Sequence, residues 1–461
     1  MWLAVAAAHH DNRGMAAPAP AHDPGNDPSF AELLAQRPQL TRHAHDGLVM
    51  EDVPLARIAE VVGTPSWVYS AGTLRRRARA LRGALTDAGL TATVHFATKA
   101  NDNLAVLALL GREGLGADVV SEGELRGARA AGIPASAIVF SGVGKSEREI
   151  RLALAEGIMQ INAESIEEID MISAIAASMG RTAPVAIRVN PDVDAKTHAK
   201  ITTGLSENKF GVAYDDALAL YARMAKLPGI RPIGIATHIG SQITVGMGAY
   251  RAAYARLAEL VGAIRAQGLP IERVDCGGGL GIAYRDEIAP APAALAGAIK
   301  AELGGLGLPV MLEPGRWIAG PAGVLLSRVI LQKQGAARRF VVLDAAMNDL
   351  LRPAMYDSWH GILPVAPTAL VAPTAPADVV GPVCESSDCF ARDRALPDLP
   401  PGALVALLDA GAYGATMSST YNARPLAAEV LVDGARFAVV RDRQSFEALH
   451  AGQRLPEWLM E

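Results

Sequence analysis

Between about residues 70 and 320, short apolar runs alternate with longer stretches whose apolar positions recur every three to four residues. The short runs fall at 93–97, 117–120, 138–141, 158–163, 185–190, 233–238, 273–276 and 309–313. Unbroken apolarity over so few positions predicts strands buried on both faces, as in a parallel sheet. The intervening stretches, such as 146–155 and 250–266, carry an apolar stripe at helical spacing. Strand followed by helix, eight times over, predicts a closed parallel (β/α)8 barrel rather than an open doubly wound sheet.

From about residue 324 the pattern changes to that of an all-β region. Strands are expected at 329–332, 340–343 and 404–408, and EVLVDGARFAVVR at 429–441 predicts a hairpin turning at Asp433-Gly434. Prolines crowd 364–401, and a short helical tail closes the chain. Residues 48–69, including GTPSWVY, precede the barrel and are expected to lend strands to the β domain. The domains are therefore 71–320 for the barrel and 29–70 with 321–461 for the β domain. Residues 1–28, rich in Ala, Pro, Asp and His, read as a disordered extension.

Composition narrows the function. Half of the 461 residues are hydrophobic, enough for two packed cores. A formal net charge of -5 without a basic block argues against nucleic acid as a partner. Cys276, Cys384 and Cys389 have neither metal-ligand nor disulfide-framework spacing and suit a reducing cytoplasm. No apolar run approaches membrane-spanning length. The opening MWLAVAAAHH lacks the basic start of a signal peptide, and Met15 is a second candidate translation start.

Polar residues gather at the expected C-terminal ends of the strands, which form the catalytic face of a barrel: Lys99, Asp118, Ser121, Ser141, Asn162, Glu164, Asn190, His238, Gly277 and Glu313. Strand ends always meet polar loops, so any one of these is ordinary; the combination of types is not. Lys99 ends the run HFATKAN. Loss of water there is expected to lower its pKa and make the amine a nucleophile toward an aldehyde, as a Schiff-base lysine for pyridoxal phosphate requires. DCGGGLGIAY places Gly277, Gly278 and Gly279 after the seventh strand. A tight turn would explain a lone glycine run, but at this barrel position open backbone N–H groups suit a phosphate. The run lacks the GxGxxG spacing of a dinucleotide site.

Further motifs fit the same cofactor. In THIGSQ, His238 could lie on a pyridine ring and Ser241 could donate to phosphate. In EPGR, Glu313 could hold a protonated pyridine nitrogen, with Arg316 left for a carboxylate. DLLRPAMYDSWH supplies Arg352 and Tyr356; GPVCESSD supplies Cys384, read as a proton donor, and Glu385. Tyr421 in SSTYNAR is a candidate for phosphate or substrate. The ordinary explanations are a satisfied histidine, a surface ion pair, an inert buried cysteine and a core aromatic.

Together GTPSWVY, HFATKAN, GADVVSEGEL, RVNPDVDAKTH, TGLSENKFG, HIGSQ, CGGGLGI, EPGR, NDLLRPAMYD, GPVCESSD and GAYGATMSSTYNARP resemble, in order, the fold-type III pyridoxal-phosphate amino-acid decarboxylases, and among them the diaminopimelate decarboxylases. The resemblance spans roughly 47–432. It implies an alanine racemase-like architecture, a TIM-like barrel with a β-sandwich or Greek-key barrel. It implies that Lys99 bonds pyridoxal 5'-phosphate, that His238 stacks on it, and that Ser241, Gly277–Gly279 and Tyr421 contact its phosphate. The Glu313–Arg316 segment, Pro314 and Gly315 included, would bind the cofactor, with Glu313 on the pyridine nitrogen. Arg316, Arg352, Tyr356, Glu385 and Tyr421 would hold substrate and Cys384 would give the proton. A head-to-tail homodimer with shared sites is implied, and no metal. The departures, Ala346, Ala403 and Ala236-Thr237, remove no chemical group from the site.

The expected reaction is decarboxylation of meso-2,6-diaminopimelate to L-lysine and carbon dioxide, the last step of lysine biosynthesis. Two arginines in one pocket call for an anion, and this substrate offers a second carboxylate where ornithine has none. The rival substrates are carboxynorspermidine, ornithine, arginine or a carrier-tethered amino acid. A racemase would need a tyrosine base, and a pseudoenzyme would not need Lys99 and Cys384.

Overall fold

The structure, a computed structural model, describes residues 27–194 and 209–460. Residues 1–26 of the expected extension, and parts of RVNPDVDAKTH and TGLSENKFG, lie outside the described residues.

Eight parallel strands close on themselves: β1 (Ala92–Ala97), β2 (Gly116–Val119), β3 (Ile138–Phe140), β4 (Gln160–Ala163), β5 (Ala183–Asn190), β6 (Ile230–Ala236), β7 (Arg273–Asp275) and β8 (Val310–Leu312). β8 pairs with β1, and β4 with β5, so no edge remains in the ring. The eight expected runs each overlap one of these strands, with bounds differing by a few residues. Each run is apolar because both of its faces are covered, by the barrel interior and by the surrounding helices. The helices begin where serines can cap them. Ser121, Ser146 and Ser165 each accept from the backbone N–H three residues on. Ser121, grouped above with the rim residues, is thus spent on starting a helix.

The second region is built around the long strand Gly323–Gln334. Its first half lies between Ser66–Ser70 and Leu404–Leu407; its second half pairs with Arg339–Leu343. Ser66–Ser70 continues into Ala428–Asp433 on its other side. Of residues 48–69, only this last piece enters the large sheet. The rest forms a small antiparallel sheet, with Leu40–His43, Gly47–Met50 and Val53–Pro54, and the helix Leu55–Val62. The C-terminal hairpin turns on Gly434-Ala435, one residue later than expected, with Gly434 at φ +61°. Asp27, assigned from sequence to the disordered extension, instead has a side chain only 5% exposed. It pairs with Arg285 at 3.2 Å and Arg394 at 3.1 Å and accepts from the Trp359 indole at 3.2 Å.

Candidate active site

The C-terminal ends of the barrel strands enclose a cavity of about 340 Å³. Lys99, Ser141, Asn162, Arg188, His238 and Glu313 are among its lining residues. Lys99 sits on the single turn Thr98–Ala100 after β1, held by two bonds from the β region: the Tyr413 N–H to Ala100 O at 2.8 Å and the Asn101 amide to Gly411 O at 3.1 Å. Its side chain keeps 41% exposure within the cavity, and Nζ lies 3.3 Å from Asp118 Oδ2.

The charge on Lys99 departs from expectation. Desolvation pulls the ammonium down, as the sequence suggested, but the Asp118 carboxylate, with Tyr413 and Glu313, outweighs it and raises the pKa above that of an ordinary lysine. Sequence could supply the burial but not the neighbouring negative charge, which arrives from β2 and β8.

Opposite the amine is a group of buried carboxyls. The Asn162 amide donates to Asp275 Oδ2 at 3.1 Å and to Glu313 Oε1 at 3.3 Å, and the Ser141 hydroxyl reaches Glu313 Oε1 at 3.3 Å. Burial, then the charge of Asp118 and Asp275, pushes Glu313 well above the usual carboxylate range; burial also raises Asp275. Two adjacent carboxyls in so dry a place hold a proton between them. Asp118 Oδ1 is buried with no hydrogen-bond partner among the described residues.

His238 follows β6. Its Nδ1 accepts from the Gly278 N–H at 3.1 Å. Burial, reinforced by Arg188 and Lys99, keeps its pKa well below 6.5, so the ring is neutral and carries its proton on Nε2. The glycine run is a close crossing of backbones. A Cβ at Gly277 would stand 2.1 Å from Thr237 O, and one at Gly278 would stand 2.3 Å from Glu313 O. Only glycine fits there. Two of the three N–H groups are committed, Gly277 to Asp275 Oδ1 and Gly278 to His238. The run therefore orients the carboxyl and the imidazole.

Arg316 opens the short helix Arg316–Ala319 and donates to the Ser241 hydroxyl, from Nη2 at 3.1 Å. Pro314 accepts from the Ala97 N–H at 3.2 Å, and Gly315 packs against Ala97 and Ala100, which brings Glu313–Arg316 alongside the Lys99 turn. A second cavity, of about 270 Å³, is lined by Arg316, Arg352, Tyr356 and Tyr284. Arg352 bonds His360 Nε2 at 2.9 Å. Among the described residues, neither arginine forms an ion pair with a carboxylate.

The remaining candidates stand elsewhere. Cys384 is exposed, with its N–H bonded to Asn422 Oδ1 at 3.0 Å; Glu385 is exposed beside it, and Tyr421 is 46% exposed. None of the three lines either cavity. Sequence reasoning passed over Arg188, Asp275, Tyr284 and Tyr413. Arg188 carried a signal, a charge inside the apolar strand VAIRVN; its Nη1 lies 3.0 Å from Glu164 Oε1. Tyr413 stacks under Arg316 at 4.8 Å. Its motif was noticed, but Tyr421 was singled out instead.

These groups fit pyridoxal phosphate: an amine for the aldehyde, a proton-bearing carboxyl pair for the ring nitrogen, a neutral imidazole for the ring, and the Ser241 hydroxyl for the phosphate. The comparisons agree. The family described as "Pyridoxal-dependent decarboxylase, pyridoxal binding domain" matches residues 71–320. A diaminopimelate decarboxylase of Zymomonas mobilis is 50% identical over 415 residues, covering 89% of this chain and 98% of that protein. The crystal structure of diaminopimelate decarboxylase from Helicobacter pylori, complexed with L-lysine, is 38% identical with a TM-score of 0.83, covering 86% of this chain and 98% of that one. The corresponding M. jannaschii structure with L-lysine is 34% identical with a TM-score of 0.86, covering 92% and 99%.

Proposed function

This chain belongs to the pyridoxal-dependent decarboxylases, and we propose that within them it converts meso-2,6-diaminopimelate to L-lysine and carbon dioxide. The observation that carries the choice of substrate is the pair of buried arginines, Arg316 and Arg352, with uncharged partners. A buried cation lacking a counter-ion is costly. A substrate with a second carboxylate removes that cost; ornithine, with one carboxylate at the reacting carbon, does not.

Lys99 would hold the cofactor aldehyde, Glu313 with Asp275 the ring nitrogen, His238 the ring face, and Ser241 and Gly279 the phosphate. The chemistry that pyridoxal phosphate would supply at this site is an electron sink for the pair left by departing carbon dioxide. The rest falls to side chains. Asp118 receives the hydrogen bond of the Lys99 ammonium and is placed to take its proton when the amine acts. The Glu313–Asp275 pair keeps a proton at the ring-nitrogen corner. Arg316, Arg352 and Tyr356 would hold the far end of the substrate and so fix its orientation toward Lys99. Cys384 protonates the carbon that has lost carbon dioxide. Because Cys384, Glu385 and Tyr421 face outward in their own chain, we assign them to the site of a second copy in a homodimer, and three free thiols suit a cytoplasmic setting. The described residues contain no helix long and apolar enough to cross a membrane.

Purified enzyme is assayed against diaminopimelate, ornithine, arginine and carboxynorspermidine. Carbon dioxide release from diaminopimelate alone is expected; preference for ornithine overturns the charge argument.

A further inference from the structure

Tyr284 ends the motif DCGGGLGIAY, and nothing in the reaction above uses it. Its hydroxyl accepts from Arg316 Nη1 at 2.7 Å. Its ring face lies under Arg352, with Cζ 4.7 Å from the centroid. The edge of His360 meets the same ring at 5.3 Å, and His360 Nδ1 donates to Leu408 O at 2.7 Å, leaving Nε2 to accept from Arg352. One aromatic side chain therefore touches both guanidiniums of the second cavity and the histidine behind one of them. Each contact is to an uncharged group, and each still lets the guanidinium present other N–H groups to the cavity.

The backbone of Tyr284 is itself held. Its N–H donates to Glu287 Oε2 at 2.9 Å, and its carbonyl accepts from Arg37 Nη2 at 3.0 Å. Arg37 is buried and paired with Asp409, to which its Nε donates at 2.9 Å. Next door, Arg285 pairs with Asp27 at 3.2 Å. Arg37 and Asp27, which precede the small sheet, thus grip the loop after β7 at two successive residues. A carboxylate at this position would order the arginines more strongly, but it would also neutralise them.

We propose that Tyr284 is a positioning residue that holds Arg316 and Arg352 ready for the carboxylate a diaminopimelate-type substrate keeps after decarboxylation. The inference rests on the diaminopimelate reading and adds a determinant of its specificity. Its contribution belongs to ligands bearing that carboxylate. It is absent for a ligand with the same carbon chain and amines but no carboxylate.

The test compares L-lysine with pentane-1,5-diamine as ligands of the cofactor-loaded enzyme, by calorimetry, in wild type, Tyr284→Phe and Tyr284→Leu. Tyr284→Phe removes one hydrogen bond to a charged group, so the Kd for lysine is expected to rise about tenfold. The Kd for the diamine and the visible absorbance of the bound cofactor are expected to stay within about twofold. Tyr284→Leu also removes the ring face and is expected to weaken lysine further. Unchanged lysine affinity in Tyr284→Phe overturns the inference, as does equal weakening of lysine and diamine. Failure of the substrate reading shows separately, as wild-type enzyme that does not release carbon dioxide from diaminopimelate.

Discussion

The barrel rim and the outer rim of the β region treat their reactive groups in opposite ways. Around Lys99, almost every polar atom is buried and spoken for. Asn162 spans two carboxyls, Gly278 fixes His238, and Asp118 anchors the amine. Around Cys384, the thiol, Glu385 and Tyr421 are all exposed, with the Cys384 N–H bonded to the Asn422 side-chain oxygen. One rim is a finished cavity; the other is an open surface. The difference teaches that chemistry needing fixed charges is built inside one chain. Groups that approach the substrate from outside can be supplied by a surface that meets it.

Five experiments press on that contrast. Lys99→Ala should have the largest effect: turnover falls by at least about 10³-fold, with loss of the visible band of the bound cofactor. Retained activity would remove the barrel rim from the chemistry. Next, Cys384→Ala should cost about 10²-fold or more in kcat while leaving cofactor absorbance intact, as loss of a proton donor does. Equal amounts of Lys99→Ala and Cys384→Ala subunits, mixed and re-equilibrated, should recover about a quarter of wild-type activity, because half the dimers then carry one intact site of two. No recovery would mean that the outward-facing rim does not serve a second copy.

Asp275→Asn should lower kcat about tenfold by unpairing the proton shared with Glu313, with the absorbance–pH profile of the bound cofactor displaced. An unmoved profile would make Asp275 a purely structural support of Gly277. The smallest effects are on stability, and the two regions should differ in sign. His95, on β1, is held by burial at about 4 against an ordinary 6.5. The unfolded chain therefore binds the extra proton first, and about 3 kcal/mol is lost as pH falls from 6.5 to 4. Asp349, in the β region, is pushed up by burial to about 6 from 3.8, so its contribution is lost as pH rises through 6. Thermal melts of His95→Gln should flatten the acid limb, while Asp349→Asn should raise Tm by a few degrees at pH 8 and not at pH 3.5.

The barrel was legible because strands covered on both faces leave an unbroken apolar signature, and because each is separated from the next by a helix with one apolar stripe. The small sheet formed by 40–54 was not. Its strands are two to four residues long and carry no readable period. Within the cavity, the residue types at strand ends were readable, but their electrical state was not. Lys99 illustrates this: burial and an adjoining carboxylate pull in opposite directions, and only the pairing of β1 with β2 reveals which one prevails. Asp275 was hidden by its place at the end of a strand, where an aspartate reads as the start of a turn. Tyr284 was hidden by the glycines before it, which drew attention to the backbone.

The strand Ser66–Ser70 lies between Gly323–Gln334 and Ala428–Asp433, so its two neighbours are made long after it. At ordinary rates of synthesis, the ribosome needs roughly 20–70 s to travel from the first of these segments to the last. Until Gly323–Gln334 is made, Trp67, Val68 and Tyr69 have neither lateral neighbour, and the barrel must assemble in the gap between the halves of its companion. Production of this enzyme should therefore respond more to chaperone supply and elongation speed than the durability of the finished molecule would suggest.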